Sequence, residues 1–187
     1  MKKVLVYGSQ EFGRVIKDML LYMKYPFAGF IDDINIGEDI VGNYSFIKGN
    51  YDANDYQIVL AIGYKDLASR LKLFQRIKDD FQFLTLIHDT AYIRNIHNLG
   101  SGSIVMSNAT IDANAKIGEF VVVWPGVVVN HDSVIGNNTF LSPNCTICGS
   151  VKIGESCFIG AGAVVVDHSN VPDNTFIKAG SVFFNKN

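Results

Sequence analysis

The 187-residue sequence predicts two domains of different class: an α/β domain over residues 1–87 and an all-β parallel β-helix over residues 88–187. Three observations carry this. Through the second half an aliphatic residue returns every six positions, and a small or β-branched residue follows it four positions later. The first half instead alternates short apolar runs with helix-period stripes, joined by glycine turns.

In the first half, Lys3–Tyr7 is an apolar strand, followed by the turn Gly8-Ser-Gln-Glu-Phe-Gly13. Val15, Met19, Leu20 and Met23 then recur at helical spacing. Phe27–Ile31 is a second strand and ends in Asp32-Asp33; Ile58–Ile62 is a third, closed by Gly63. Leu67, Leu71, Phe74 and Ile77 share one helix face, and Phe83–Leu86 reads as a last strand before the repeats. Strand, glycine turn, helix and a carboxylate after the second strand make the opening of a Rossmann-like nucleotide fold. The turn itself has neither GxGxxG nor the Lys-Ser/Thr of a P-loop, so a plain strand-to-helix turn remains open on composition alone.

In the second half the aliphatic column runs Leu99, Val105, Ile111, Ile117, Val123 and on to Ile177, then Phe183. The small column runs Ser103, Ala109, Ala115, Val121, Val127, Ser133 and on to Ser181, and it includes Cys145 and Cys157. Six is neither a helix period nor a simple strand period, so each hexad is a short strand plus a corner. Three hexads close a triangular coil, and fifteen hexads make five coils. Stacked about 4.8 Å apart, the coils pair like columns into parallel strands around a narrow interior. Glycine at Gly100, Gly118, Gly136 and Gly154 marks one corner, where a positive φ is expected.

Composition narrows the function. Net charge is −2 and pI about 6.0, with no run of five like charges, so neither nucleic acid nor an anionic membrane is indicated. No apolar stretch approaches a membrane span, and the N-terminal apolar run, Val4–Tyr7, is too short for a signal peptide. A cytoplasmic protein is expected. Cys145, Cys148 and Cys157 form no metal or disulfide framework, and the CxxC at Cys145–Cys148 falls out of the repeat.

The turn Gly8–Gly13, the segments Gly29-Phe-Ile-Asp-Asp33, Ala61-Ile-Gly63 and Leu86-Ile-His88, and the repeat segments Val129–Gly136, Ile147–Gly154 and Phe158–Gly162 together resemble sugar acetyltransferases of the PglD/NeuD type. The resemblance covers the whole chain. It implies a Rossmann-like domain that holds a nucleotide sugar, a left-handed β-helix that holds acetyl-CoA, and a homotrimer with active sites between subunits. Left-handedness departs from the usual crossover rule and rests on the resemblance.

Acetyl transfer from a thioester needs a base for the attacking group and a donor near the developing oxyanion. His131 falls outside both inward columns, and the resemblance makes it the base, with Asp132 orienting its ring. The resemblance also implies Phe140, Gly149, Gly160 and Ala161 at acetyl-CoA, Gly8, Ser9 and Gly13 at the diphosphate, Asp32 and Asp33 at the base or ribose, and Gly63 at the cleft edge. His88 reads as structural, His97 and His168 as solvated turns, and no metal is expected because only His131 has a site context. Outer apolar hexads at Val121, Val122, Trp124, Val127 and Val128 point to a trimer interface.

Four departures bear on the acceptor. The phosphate turn carries Gln10-Glu11-Phe12; Trp124 replaces an Asn and is placed to stack on a sugar ring or to pack; Phe140 replaces a His; and the chain ends Phe183–Asn187 without Gly-x-Pro-Ala-Lys. The expected activity is N-acetylation of a UDP- or dTDP-linked 4-amino-4,6-dideoxy sugar. O-acetylation of a sugar or sialic acid is the alternative, and a non-catalytic trimeric scaffold the third.

Overall fold

Val4, Leu5 and Val6 are fully buried in β1 (Lys3–Tyr7), as a central strand covered on both faces requires. The computed structural model describes residues 1–185, and its backbone contacts divide it into units that meet between Leu84 and Thr85. Lys186 and Asn187, the end of the departing C-terminal sequence, lie outside the described residues.

The first unit is a five-stranded parallel sheet. Beside β1 lie β2 (Phe27–Ile31), β3 (Ile40–Gly42), β4 (Tyr56–Leu60) and β5 (Gln82–Phe83), in the order β3-β2-β1-β4-β5. Order reverses at β1, which pairs with both β2 and β4. Helix α1 (Glu11–Tyr22) buries Ile16, Met19 and Leu20 but exposes Val15 and Leu21. Helix α2 (Tyr44–Asn50) is capped by Asn43, whose side chain accepts from the Phe46 N–H at 2.9 Å. Helix α3 (Leu67–Ile77) follows β4. The strand β3 and helix α2 are absent from the sequence expectations, because three residues and seven residues are too short to show a period.

The second unit is a three-faced parallel β-helix. One face stacks Leu86–Ile87, Ile104–Val105, Val122–Val123, Phe140–Leu141, Phe158–Ile159 and Phe176–Ile177. The next stacks Tyr92–Ile93, Thr110–Ile111, Val128–Val129, Thr146–Ile147, Val164–Val165 and Val182–Phe183. The third stacks Lys116–Ile117, Val134–Ile135, Lys152–Ile153 and Asn170–Val171, with Leu99 bridged to Ile117. Along the third face Lys116, Val134, Lys152 and Asn170 are exposed, so this face is the solvated one.

Both predicted columns point inward. From Val105 to Ile177 the aliphatic column is at most 4% exposed, and the small column is buried from Ser103 to Ser169. Polar members of the small column serve the backbone. Ser133 Oγ donates to the Cys148 carbonyl at 2.8 Å and accepts from the Val151 N–H at 3.1 Å, so its burial leaves no orphan hydroxyl.

Four sequence expectations change. The coils begin at Leu86, with Ile87 and Ile93 extending the aliphatic column two hexads upstream, so the long faces hold six strands rather than five. Phe83–Leu86 is accordingly not one strand: Leu84 N–H bonds Ile58 O, and Leu86 N–H bonds Ser103 O. The corner glycines have no positive φ. The left-handed residue sits two positions later in the hexad, at Gly102, Phe120, Asn138, Ser156 and Asn174 at this corner, and at Asn114 and Asp132 elsewhere. Gly136 is needed for close approach instead, since a Cβ there would lie 2.5 Å from the Gly154 carbonyl of the next coil. Finally, Val121 and Val127 belong to the small column and are fully buried inside the prism, so they form no outer surface.

Candidate active site

The hexad corner that follows the second face holds His131 and Asp132, the pair singled out in the sequence. Its outermost positions on successive coils are Ala113-Asn114, His131-Asp132, Gly149-Ser150 and Asp167-His168, and backbone bonds from Asp132 N to Ala113 O, Ser150 N to His131 O and His168 N to Gly149 O hold them in register. None of these side chains belongs to the core, so the corner presents them to solvent; the His131 side chain is 58% exposed.

His131 Nδ1 lies 2.9 Å from Asp132 Oδ2, and Asn114 Nδ2 donates to Asp132 Oδ1 at 3.0 Å from the preceding coil. Each carboxylate oxygen thus has its own partner. Asp132 and Asn114 both sit in the left-handed region, at φ 60° and 59°, which Asp and Asn tolerate better than most residues. The hydrogen bonds from His131 and then from Asn114 lower the Asp132 pKa, so the carboxylate is ionised near neutrality and fixes the proton on Nδ1. That leaves Nε2 as the free acceptor. Gly149 explains the ring's position: a Cβ there would meet Cε1 and Nε2 of His131 at 2.7 Å. The missing side chain is room for the imidazole. Asn114 is not among the residues singled out in the sequence.

Trp124, Gly160 and Ala161 occupy a different corner, the one after the first face, together with Pro125, Ser142 and Pro143. Trp124 packs on the core and its ring centroid is 5.9 Å from Phe140, which is 3% exposed and itself 6.1 Å from Phe158. Packing therefore accounts for Trp124 and Phe140. Gly160 allows close stacking on Ala179, while Gly162, two residues on, faces open space. Within one chain a full face of the prism separates this corner from His131 and Gly149.

In the α/β unit, Gly8 (φ 108°) and Gly13 are packing glycines: a Cβ on Gly8 would lie 2.7 Å from Ala61 O, and one on Gly13 would overlap the Gly8 carbonyl. Their absent side chains let α1 sit on the end of β1. Asp32 accepts from Ser9 Oγ at 2.5 Å, Ser9 N at 3.2 Å, Ile34 N at 3.0 Å and Asn35 N at 2.8 Å, with the Asn35 amide also in reach. Partial burial would raise its pKa, but the Asn35 N–H, the Ser9 hydroxyl and the Ile34 N–H outweigh that and hold it at about 2. Asp33 takes the Tyr7 hydroxyl at 2.6 Å, the Tyr44 N–H at 2.8 Å and Arg76 Nη2 at 2.8 Å. In this structure the acceptor sites of both carboxylates expected at a base or ribose are engaged by the chain itself.

A cleft of about 480 Å³ does open beside them, along α1 and the 35–40 loop. Its wall includes Ser9, Gln10, Arg14, Lys17, Leu21, Ile36 and Ile40. Gly63 borders no part of it; it precedes the 3₁₀ turn Tyr64–Asp66 and has open space around it. Glu11 does not line it either, so the carboxylate in the departing turn does not face the cleft.

Cys145 and Cys157 are buried in the prism. Burial pushes the Cys145 thiol up to about 12 and raises that of Cys157, while Cys148 is half-buried. Among the described residues no group of three His, Cys, Asp or Glu side chains gathers as a metal site, and no helix is long and apolar enough to cross a membrane.

Comparison with known proteins agrees with both units. Residues 3–77 match the PglD N-terminal domain, and residues 132–167 match the bacterial transferase hexapeptide, six repeats. The whole chain aligns with 90% of PerB from Caulobacter crescentus, solved in complex with CoA and GDP-perosamine, at 27% identity and a TM-score of 0.89. It aligns over 99% of its length with 92% of the acetyltransferase domain of PglB from Neisseria gonorrhoeae, solved with acetyl coenzyme A, at 22% identity and a TM-score of 0.88. WeeI from Acinetobacter baumannii shares the fold at 21% identity, covering the whole chain and 93% of that protein, with a TM-score of 0.68.

Proposed function

We propose, for a chain that joins a PglD N-terminal domain to a transferase hexapeptide domain and so belongs with the PglD/NeuD-type acyltransferases, that it N-acetylates the amino group of a nucleotide-linked deoxyaminosugar. The observation that carries this reading is the Asn114–Asp132–His131 relay on an outward corner, with Gly149 leaving space for the ring. PerB, matched over the full chain, was solved with CoA and a GDP-linked sugar and supports both substrates.

Acetyl-CoA supplies an activated thioester carbonyl as co-substrate. His131 Nε2 takes the proton from the attacking amine as its nitrogen bonds the carbonyl carbon. Asp132 stabilises the imidazolium through Nδ1–H, and Asn114 keeps the carboxylate turned toward it. The proton then leaves with the CoA thiolate as the tetrahedral centre collapses. His131 and Gly149 would stand beside the thioester. Gly160, Ala161 and the open space at Gly162 would come from the other kind of corner.

Because one prism keeps those corners apart, a neighbouring copy would bring them together, and a homotrimer satisfies this with three equivalent sites. Around the buried Phe140, the half-buried Trp124 and Phe158 and the 67% exposed Phe176 offer apolar surface for such packing in place of the buried valines.

Thiol release from acetyl-CoA, measured with UDP-, dTDP- and GDP-linked 4-amino sugars, tests the reading. Turnover with an amino sugar and none with the corresponding hydroxyl sugar is expected. Turnover with the hydroxyl sugar alone would establish O-acetylation, and none with any acceptor would overturn the enzyme reading.

A further inference from the structure

We propose that Asp167 sets the acceptor specificity of the His131 corner: its carboxylate holds one N–H of the attacking amino group while His131 Nε2 takes another. This rests on the acetyltransferase reading above and names what makes that corner prefer an amine to a hydroxyl.

The corner presents one pair of outermost positions per coil, and the first of each pair runs Ala113, His131, Gly149, Asp167. Backbone bonds from Ser150 N to His131 O at 2.9 Å and from His168 N to Gly149 O at 3.1 Å keep that column stacked. The His131 ring leans along it in one direction. It fills the space over Gly149, where a Cβ would meet Cε1 and Nε2 at 2.7 Å, so its free nitrogen stands at the level of the Gly149 coil. Asp167 is the next residue in that direction, one coil on and about 4.8 Å further. In the other direction the column offers only the methyl of Ala113.

An aliphatic amine is protonated near neutrality, as lysine is. R–NH3+ and acetyl-CoA give the amide, CoA thiol and one proton, so a surplus proton leaves to water before His131 takes the next. The nitrogen has to stay in place meanwhile. A carboxylate does this, because it accepts from the ammonium and from the neutral amine alike. Two acceptors each about 2.8 Å from one tetrahedral nitrogen lie roughly 4.6 Å apart, close to the single coil spacing between the levels of Nε2 and Asp167.

A hydroxyl cannot use both acceptors, since it has a single O–H to give. Donating to Asp167 leaves the base no proton to take. Donating to Nε2 turns an oxygen lone pair toward an anion. Asp132 cannot do the same work, because its oxygens are engaged by His131 Nδ1 and Asn114. The Asp167 side chain is 53% exposed and its Oδ2 lies 3.8 Å from His168 Nε2, too long for a hydrogen bond, so that neighbour does not hold it away from an acceptor.

The test uses the full-length protein and whichever of the UDP-, dTDP- and GDP-linked 4-amino sugars supports turnover. Its N-acetylated product, with one N–H and no charge, is the control ligand. Asp167→Asn keeps the size of the side chain and removes the charge. It should lower kcat/KM for the amino sugar about 10- to 100-fold, the worth of one charge-assisted hydrogen bond, and leave the KM for acetyl-CoA unchanged. In calorimetry it should weaken the amino sugar while the N-acetylated product binds as it does to wild type. Asp167→Glu should recover part of the loss. A folding defect would weaken amine and product alike, so the two ligands separate recognition from stability. Wild-type kcat/KM in Asp167→Asn, or equal losses for amine and product, overturns this assignment alone. So does a raised acetyl-CoA KM with the amine unaffected, which would put Asp167 on the donor. A wild-type protein that turns over no amino sugar overturns the N-acetylation reading, and this assignment with it.

Discussion

The two units place their polar side chains by opposite rules. In the α/β unit, Asp32 and Asp33, the expected ligand carboxylates, are also structural hubs, between them engaging Ser9, Ile34, Asn35, Tyr7, Tyr44 and Arg76. In the β-helix, the core uses two positions of each hexad, and corner positions such as His131 and Asp132 are left outside it. Mutations in the first unit should therefore mix stability with binding. Mutations at the corner should separate them.

The sharpest separation is at His131. Its side chain is 58% exposed and contacts Asp132, so His131→Ala should leave the melting temperature within about a degree while lowering kcat by about 10²–10⁴, the range for loss of a general base. Turnover with the acceptor that supports it, measured beside a thermal melt, checks both halves. A large drop in melting temperature would mean that the corner is not independent of the core.

Corner glycines break the rule in a useful way, because some corner positions do belong to the stacking. Gly136→Val would drive a side chain into the Gly154 carbonyl, already 2.5 Å from the ideal Cβ position, and should cost about 3 kcal/mol or more. Gly162→Ala meets nothing within 4 Å and has only its φ of 64° to strain, worth about 1–2 kcal/mol. Denaturant melts of the pair measure the difference. Equal losses would show that close approach of the coils at Gly136 costs no more than the left-handed backbone at Gly162.

This distinction marks where sequence stops being readable. The six-residue period is visible because every coil repeats the same inward demand, and both columns are buried as it implies. Why glycine recurs at one corner is not visible, since crowding and positive φ both select glycine. The α/β unit is harder. Its strands β1 and β2 stand out as apolar runs, but β3 and α2 are short, and the Asp32 hub depends on hydrogen bonds to a loop that no periodicity describes.

Asp32→Ala should show the mixing expected of the first unit. It strips the partner from the Ser9, Ile34 and Asn35 N–H groups at once, and because the site is only partly buried the loss should be about 1–2 kcal/mol. A pH series gives the sign. The folded pKa of about 2 lies below the unfolded value of about 3.9. The contribution is therefore fully present above about pH 4 and is lost as pH falls toward 2. Wild type and Asp32→Ala should converge in stability over that window, and a constant gap would show that the carboxylate's charge is not what holds the loop.

The smallest effect separates the corner from an unassisted His-Asp pair. Asn114 sits at φ 59°, so an alanine there would add backbone strain to the loss of the amide; Asn114→Gly removes the amide while keeping the left-handed turn comfortable. Asp132 then keeps His131 but loses the bond that fixes its other oxygen, and its pKa should rise from the lowered value, since Asn114 contributes to that lowering after His131. A fall in kcat of about 3- to 30-fold is expected, the worth of one charge-assisted hydrogen bond at an exposed site, and it should grow as the pH is lowered. The decisive comparison is a cycle with Asp132→Ala. If Asn114 acts through Asp132, glycine at 114 should have almost no further effect once the carboxylate is gone. Independent, multiplicative losses would mean that Asn114 acts elsewhere on the corner, and the relay would shrink to His131 and Asp132 alone.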